Sequence, residues 1–320
     1  MSTQPARAGV IIIGSNSTRM LTADLDAGLS RPVFGRMDTR LFMALGQGKR
    51  LSVEAIQTAC RDVAALYAMA REGGADRTLL MATSAVRESE NGKSLAYALL
   101  QATGLSLQVI TGDEEAAYSF WGAVHPFPRQ EMAGVMDIGG GSTEIALGHP
   151  GDAPFTHSLP LGAARLYAMQ PIASADDAGK ALQAAGKIAR EGTRAMAHKA
   201  LTQPPRLWAD PARWLLVGGT GTALMGLLKA QLYHRGQPDA PFGRDDVLDI
   251  LRRLTSLSPQ ARALLPGMTP GREHILPTGL AVLHALMEAM NLGEMTVTNR
   301  NNTDGVLWHL AVKGHLRVEP

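Results

Sequence analysis

The residues best suited to chemistry lie in Val135–Gly148, VMDIGGGSTEIALG, where two apolar runs flank a glycine-rich turn. Asp137 ends the first run, and three glycines and two hydroxyl residues follow it. Glycines let the backbone approach a ligand closely, so the N–H groups and hydroxyls can converge on a phosphate. Asp137 would repel that phosphate unless a hard cation such as Mg²⁺ lay between them. The alternative interpretation is an ordinary β-hairpin. The phosphate-binding candidates here are Gly139, Gly140, Gly141, Ser142 and Thr143.

The same pattern occurs near the N-terminus, where Ile12–Arg19 reads IIGSNSTR. Aligned on the two turns, Gly14 matches Gly139. Two phosphate turns of one pattern indicate a duplicated domain. The copies differ at one position, because Ile12 stands where the second copy has Asp137, so one of two expected metal-facing carboxylates is absent. The candidates in this turn are Gly14, Ser15, Asn16 and Ser17.

Two further candidates follow apolar strands. The run 77–86 predicts a buried strand that delivers Arg87 to its C-terminal end, where open α/β sheets bind ligands. The alternative for Arg87 is a solvated loop charge. A strand at Trp214–Val217 runs into GGTGT, whose Gly219 and Thr220 form a third anion-binding turn at a helix N-terminus or, equally, a helix cap. Arg272 precedes a later helix and is expected to face the ligand.

The helix predicted after Thr111 contains an acidic candidate in its first turn. The spacing of Thr111 and Glu114 predicts a capping box, which occupies the Glu114 carboxylate and leaves Glu115 directed elsewhere. Ser119 and Gly122 continue the Glu115 face with little bulk, and such a face can line a cleft. The alternative is that both acids only complement the helix dipole.

Composition limits the class of protein. A length of 320 residues predicts about two domains, and 45% hydrophobic with 19% charged residues describes a soluble globular chain. A net charge of +2 is too small to predict a nucleic-acid partner. The lone Cys60 fits a reducing compartment, and no apolar run reaches the length of a membrane span. We therefore expect a cytoplasmic protein with no nucleic-acid or membrane partner.

Six segments together resemble the exopolyphosphatase and guanosine pentaphosphate phosphatase family. They are IIGSNSTR, ATSAVRESENG, TGDEEAAYSFWGA, VMDIGGGSTEIALG, LPLGAARL and VGGTGTAL. The resemblance implies an α/β protein with two ribonuclease-H-like domains of the actin/hexokinase/Hsp70 superfold and an interdomain active-site cleft. We expect the domains at 1–125 and 126–305, with a closing helix near 306–320 that packs back on the first domain. A homodimer is also expected.

The family's activity implies hydrolysis of the terminal phosphate of inorganic polyphosphate, or of guanosine pentaphosphate to the tetraphosphate. The expected cofactor is Mg²⁺, with Mn²⁺ as an alternative. By the same resemblance, Glu115 is the base that activates water and Arg87 neutralises the transferring phosphoryl group. Asp137 and Glu144 position the metal and water, while Arg19 and Arg272 recognise either a guanine or more phosphate.

Three departures from the family pattern leave other functions open. Ile12 replaces the usual aspartate of the first turn, Asn301–Gly305 reads NNTDG instead of GLREG, and the sequence ends at Pro320 before the HD-like domain of long members. The first departure motivates an inactive sensor that binds polyphosphate or the guanosine alarmone. A third hypothesis is an ATP-dependent kinase, since Gly218–Thr222 resembles a nucleotide-contacting turn.

Overall fold

The computed structural model describes residues 6–26, 28–45, 49–202 and 211–314. The chain divides into two compact units. Unit 1 comprises Met1–Pro126 and Asn302–Pro320, and unit 2 comprises Phe127–Asn301. The last helix of the chain therefore belongs to the first unit. The predicted domain limits stay predictions.

The described residues form eleven strands and eleven helices. The strands are β1 (Arg7–Ile13), β2 (Thr18–Asp24), β3 (Val33–Met37), β4 (Arg77–Ala82), β5 (Leu107–Val109), β6 (Ala133–Ile138), β7 (Thr143–Gly148), β8 (Phe155–Leu159), β9 (Arg213–Val217), β10 (Ala240–Gly243) and β11 (Glu294–Val297). The helices are α1 (Val53–Glu72), α2 (Ser84–Arg87), α3 (Gly92–Thr103), α4 (Gly112–Val124), α5 (Ala163–Met169), α6 (Ala175–Thr202), α7 (Gly219–Lys229), α8 (Arg244–Thr255), α9 (Pro259–Ala263), α10 (Leu276–Ala289) and α11 (Asn302–Lys313).

The sheet of unit 1 has the strand order β3-β2-β1-β4-β5. Strand β1 pairs with β2 in antiparallel register and with β4 in parallel register. All of β1 after Arg7 is buried, which explains its continuous apolar run, because a central strand covered on both faces does not alternate. Helix α1 packs against this sheet and begins at Ser52, whose side chain accepts a hydrogen bond from the Ala55 N–H.

The sheet of unit 2 has the order β10-β11-β9-β6-β7-β8. Read from its other edge, β8-β7-β6-β9-β11 repeats the arrangement of the first sheet, with β6 in the place of β1. Strand β6 is buried along its whole length. The duplication inferred from the two glycine-rich turns is therefore present in the topology of both units.

Several elements differ from the predicted ones. The strand expected over 77–86 ends at Ala82, and Arg87 is the last residue of the short helix α2. The chain turns because the Thr83 carbonyl accepts hydrogen bonds from the N–H groups of Val86 and Arg87. The short edge strand β10 was not predicted. Helix α11 begins at Asn302, earlier than the closing helix expected near 306–320.

Helix α11 packs against α4 within unit 1. A β-carbon at Gly305 would collide with the Tyr118 carbonyl and would lie 2.9 Å from the Gly122 nitrogen, so only glycine allows this approach. The His309 ring stacks on Trp121, with centroids 4.4 Å apart. The face of α4 that contains Gly122 was predicted to line a cleft. At Gly122 it packs against α11 instead. Among the described residues, no helix has the length and apolar character needed to cross a bilayer.

Candidate functional site

The two glycine-rich turns close with the same hydrogen bond. The Gly14 N–H donates to the Ser17 carbonyl at 3.1 Å, and the Gly139 N–H donates to the Ser142 carbonyl at 3.0 Å. All four residues are the matched positions of the sequence repeat. The turns thus share one backbone geometry, each in its own unit.

In unit 2, the N-terminus of α5 holds the carbonyl groups of the turn. The Ala163 N–H donates to the Gly139 carbonyl at 2.9 Å, and the Ala164 N–H donates to the Gly140 carbonyl at 2.8 Å. The Arg165 Nε donates to the Gly141 carbonyl at 2.6 Å. Backbone and guanidinium donors of α5 therefore hold the carbonyls of the turn and fix its conformation.

Three N–H groups of the same turn face no acceptor in the described part of the chain, those of Gly140, Gly141 and Ser142. A row of unused backbone donors beside a fixed turn is a typical anion-binding arrangement. The Thr143 hydroxyl is occupied, because the side chain is fully buried and donates to the Leu161 carbonyl.

The turn of unit 1 is fixed in the same way by the segment that follows β3. The Phe42 N–H donates to the Ser15 carbonyl at 2.8 Å, and the Arg40 N–H donates to the Asn16 carbonyl at 2.9 Å. In the described part of the chain, neither side-chain polar atom of Asn16 has a hydrogen-bond partner, although the residue is only 8% exposed. A buried amide costs free energy unless a ligand or water satisfies it, so Asn16 fits a phosphate. Ser17 is buried as well.

Helix α2 connects this turn to the acidic candidate. The hydroxyls of Ser15 and Ser84 lie 3.0 Å apart and share a hydrogen bond, and Ser84 begins α2. At the other end of α2, Arg87 Nη1 donates to the Ile110 carbonyl at 2.7 Å and to Glu115 Oε2 at 3.3 Å. The structure therefore brings the first turn, Arg87 and Glu115 into one chain of contacts in unit 1.

The predicted capping box of α4 is present. The Glu114 N–H donates to the Thr111 hydroxyl at 3.1 Å, and the Thr111 N–H donates to Glu114 Oε2 at 2.7 Å. Glu115 is 7% exposed and faces Arg87. Burial raises the pKa of Tyr118 to about 12, and the Glu114 charge adds to the rise, so this phenol stays neutral near pH 7 and does not act as a base.

Asp137 and Glu144 lie directly opposite each other on β6 and β7, so both carboxylates project from the same face of the sheet. Both residues are buried, and Glu144 Oε1 accepts a hydrogen bond from the Ser158 hydroxyl at 2.8 Å. The described residues contain no group of three or more His, Cys, Asp or Glu that could hold a metal. Mg²⁺ commonly binds through one or two carboxylates together with phosphate oxygens and waters, so this donor pair fits that ion.

The third predicted turn lies beside Asp137. Gly218 has φ +88°, and a β-carbon there would lie 2.7 Å from Asp137 Oδ1. A β-carbon at Gly219 would collide with the guanidinium of Arg272, which is buried. Thr220 is buried against Gly279 of α10. The Asp137 carboxylate therefore lies against Gly218, and the Arg272 guanidinium lies against the next residue, Gly219.

Arg19 is the unit 1 counterpart of Glu144. It lies opposite Ile12, as Glu144 lies opposite Asp137. Ile12 is 3% exposed and packs between β2 and β4. The carboxylate pair of unit 2 is thus replaced in unit 1 by an apolar residue and a cation.

Sequence reasoning missed the residues that hold the two turns. Ser84, Ser158 and Arg165 each bond to a candidate site residue or to its carbonyl. In the sequence, Arg165 stands out only as part of LPLGAARL, one of the segments that carry the family resemblance. In that segment Gly162 is the residue that could have indicated a close contact with the turn. A β-carbon there would lie 2.5 Å from the Gly140 carbonyl oxygen.

Comparison with known proteins identifies relatives along nearly the whole chain. The sequence model of the Ppx/GppA phosphatase family matches residues 25–313. Exopolyphosphatase 2 of Mycobacterium tuberculosis is 31% identical, over 95% of this chain and 98% of its own length. Among solved structures, an exopolyphosphatase from Cytophaga hutchinsonii has a TM-score of 0.83 at 20% identity, covering 98% of this chain and 100% of its own. A Ppx/GppA family member from Aquifex aeolicus has a TM-score of 0.74 at 20% identity, covering 97% and 99%.

These matches and the repeated sheet order confirm the predicted fold class, two ribonuclease-H-like domains of the actin/hexokinase/Hsp70 superfold. The chain therefore belongs to the Ppx/GppA phosphatase family and is a phosphoanhydride hydrolase of that family.

Proposed function

We propose that the chain is an exopolyphosphatase, which releases the terminal phosphate of inorganic polyphosphate by hydrolysis. The observation that carries this proposal is the pair of matched turns, whose carbonyls are bound by protein donors, together with the N–H groups of Gly140, Gly141 and Ser142, which have no acceptor among the described residues. The name of the Mycobacterium tuberculosis relative supports polyphosphate as the substrate class.

Glu115 is the proposed general base. A water attacks the terminal phosphorus, Glu115 takes its proton, and the bridging P–O bond breaks. The products are inorganic phosphate and a chain shortened by one unit. Arg87 pairs with this carboxylate and offers its guanidinium to the phosphoryl oxygens. Since phosphoryl transfer depends mainly on positioning and charge stabilisation, no covalent protein intermediate is needed.

Asp137 is the residue we propose to hold Mg²⁺, or Mn²⁺ in its place, with Glu144 beside it. When bound, the ion would neutralise phosphate charge and allow a carboxylate to lie next to the substrate. Ser158 orients Glu144 through the hydrogen bond to its Oε1. Arg272 lies at the neighbouring glycine pair and is proposed to bind a further phosphate.

Hydrolysis of guanosine pentaphosphate to the tetraphosphate is the proposed second activity, since its 5′ end presents the same terminal phosphoanhydride. Arg19 and Arg272 are the residues proposed to contact the nucleotide. The competing hypothesis is a binding protein without turnover. It is favoured by a specific observation, the replacement of the first carboxylate by Ile12.

The proposal is tested by phosphate release from tripolyphosphate, long-chain polyphosphate, guanosine pentaphosphate and ATP, with Mg²⁺ or Mn²⁺ titrated. An exopolyphosphatase gives one phosphate and a chain shortened by one unit at each step. Tight binding of polyphosphate with no release at any metal concentration would support the binding protein instead. ATP loss matched by a phosphorylated acceptor would support the kinase.

We also propose a cytoplasmic homodimer. The lone Cys60 fits a reducing compartment, and the dimer is an expectation that light scattering on the purified protein can test.

A further inference from the structure

The start of helix α2 is bound to the phosphate turn of unit 1. The Thr83 N–H donates to the carbonyl of Ile13, the residue just before that turn, at 3.1 Å. The Ser84 hydroxyl lies 3.0 Å from the hydroxyl of Ser15, which belongs to the turn. One backbone hydrogen bond and one side-chain hydrogen bond therefore attach α2 to the turn.

The other end of α2 is bound to the segment that leads into α4. Arg87 Nη1 donates to the Ile110 carbonyl at 2.7 Å, and the Ile110 N–H donates in turn to the last residue of β4 at 3.0 Å. The same Nη1 reaches Glu115. Between the two ends, Ala85 and Val86 are buried in the apolar core of unit 1. A helix of one turn with a packed middle moves as one body, so a shift at its start changes the position of Arg87.

The hydroxyls of Ser15 and Ser84 have one proton more than their mutual hydrogen bond uses, because each hydroxyl is a single donor. Within the described ranges, neither hydroxyl has another protein partner. Ser84 is 1% exposed, and Ser15 is 6% exposed. If Ser84 is the donor, the remaining proton lies on Ser15 in the turn, where a ligand can accept it. If Ser15 is the donor, the remaining proton stays unpaired in the protein interior, which costs free energy.

We propose that Ser84 is a positioning residue that links phosphate binding at the first turn to the placement of Arg87. This inference rests on the proposed function and adds to it a residue that does not itself contact substrate. Phosphate oxygens are strong acceptors, so a bound phosphate takes the Ser15 proton and makes Ser84 the donor to Ser15 Oγ. The start of α2 is then fixed against the occupied turn, and Arg87 is held in place for the phosphoryl group.

The test is the variant Ser84→Ala, which removes the hydroxyl and keeps the backbone hydrogen bond between Thr83 and Ile13. We expect kcat for tripolyphosphate to fall about tenfold, because a misplaced guanidinium stabilises the transition state less well. KM should rise less than about threefold, because the backbone donors of the turn are unchanged. Steady-state phosphate release measures both constants.

The control Ser52→Ala removes a serine hydroxyl from the same unit. Ser52 caps α1, and its side chain accepts a hydrogen bond from the Ala55 N–H. Loss of an N-cap lowers the free energy of unfolding, so the denaturant midpoint should fall while kcat stays at the wild-type value. Denaturant titration of both variants separates a loss of stability from a loss of positioning.

Double-mutant cycles test whether Ser84 acts through its two proposed partners. In the Arg87→Ala and Ser15→Ala proteins, adding Ser84→Ala should lower kcat by less than about twofold, because the link is already broken. In the Ser52→Ala protein, Ser84→Ala should keep its effect of about tenfold. A serine that only stabilises the fold would lower kcat by the same factor in all three proteins.

A second variant covers the case in which Ser84→Ala does not fold. Ser84→Cys places a weak S–H donor at the same site and should also lower kcat. Wild-type kcat in folded Ser84→Ala or Ser84→Cys would overturn the proposal, as would a loss that persists in full in Arg87→Ala. Failure of the proposed function looks different, since wild type itself would then release no phosphate from any polyphosphate.

Discussion

Arg87 and Glu115 form an ion pair, with Arg87 Nη1 lying 3.3 Å from Glu115 Oε2. The same nitrogen donates to the Ile110 carbonyl, which holds the guanidinium in place at the end of α2. Since only Nη1 is used by protein acceptors in the described residues, Nε and Nη2 remain for phosphate. The pair thus combines a proton acceptor with an anion-binding group.

Replacing Arg87 by lysine keeps the charge but removes the planar fork of donors. Loss of charge-assisted hydrogen bonds costs about 1.5–3 kcal/mol, so we expect kcat to fall by about 10- to 100-fold. Steady-state phosphate release measures the effect. Arg71→Lys, at the exposed end of α1, is the control and should behave as wild type. Full activity in Arg87→Lys would remove Arg87 from the proposed mechanism.

A β-carbon at Gly162 should displace the phosphate turn, because it would lie 2.5 Å from the Gly140 carbonyl oxygen. For Gly162→Ala we expect a loss of about 1–3 kcal/mol in the free energy of unfolding, together with weaker phosphate binding. Denaturant titration and phosphate-inhibition constants test both effects. Gly179→Ala adds a methyl group to α6 where nothing lies within 4 Å, and it should not weaken binding.

Asp24 is predicted to make the stability of the fold depend on pH in the acidic range. Hydrogen bonds from Arg31 and then Arg7 lower its pKa from 3.8 to about 2. A carboxyl whose pKa is lower in the folded state stabilises the fold above its unfolded pKa, and this contribution is lost as pH falls toward 2. Asp24→Asn should therefore lower Tm at pH 7, and its difference from wild type should shrink between about pH 4 and pH 2.

The control for that experiment is Asp249→Asn. Asp249 pairs with Arg252 on an exposed helix face, where ion pairs contribute little. Its Tm should match that of wild type at each pH. A constant Tm difference for Asp24→Asn down to pH 2 would contradict the assignment.

Removal of the Asp137 carboxylate should abolish metal binding in unit 2. We expect Mn²⁺ binding, followed by electron paramagnetic resonance, to be lost in Asp137→Asn and retained in Asp152→Asn, a control in the loop after β7. Ile12→Asp restores the carboxylate pattern of the first turn and should increase Mn²⁺ affinity, at a cost in stability because the site is buried. Equal Mn²⁺ binding by wild type and Asp137→Asn would exclude Asp137 as the ligand.

Local signals predicted the two hairpins and the capping box around the candidate site. The two hairpins follow from apolar runs around glycine-rich turns, and the capping box at Thr111 and Glu114 depends only on residues three apart. Helix α1 is likewise bounded by local features, an N-cap at Ser52 and a glycine at position 73. Such features are decided within a few residues of chain, so sequence spacing is sufficient to find them.

The groups that hold the turns could not be predicted in this way. Arg165 bonds to a carbonyl 24 residues earlier, and Ser84 bonds to a serine 69 residues earlier. Both contacts depend on the tertiary packing that places α5 and α2 against the turns. Arg87 illustrates the same limit, because a bend after Ala82 places it on α2 instead of a strand end. Helix α11 begins at Asn302, before the helix expected near 306–320, because burial against α4 outweighs the weak helix propensity of Asn302 and Thr303.

Glu115 is proposed to activate the attacking water. The most direct measurement is phosphate release from polyphosphate by wild type, Glu115→Gln and Asp113→Asn, the last of which removes one exposed carboxylate from the same helical turn. We predict that Glu115→Gln lowers kcat by about 10²- to 10⁴-fold with polyphosphate binding retained, and that Asp113→Asn stays near wild type. A Glu115→Gln protein that hydrolyses polyphosphate at the wild-type rate would contradict the mechanism.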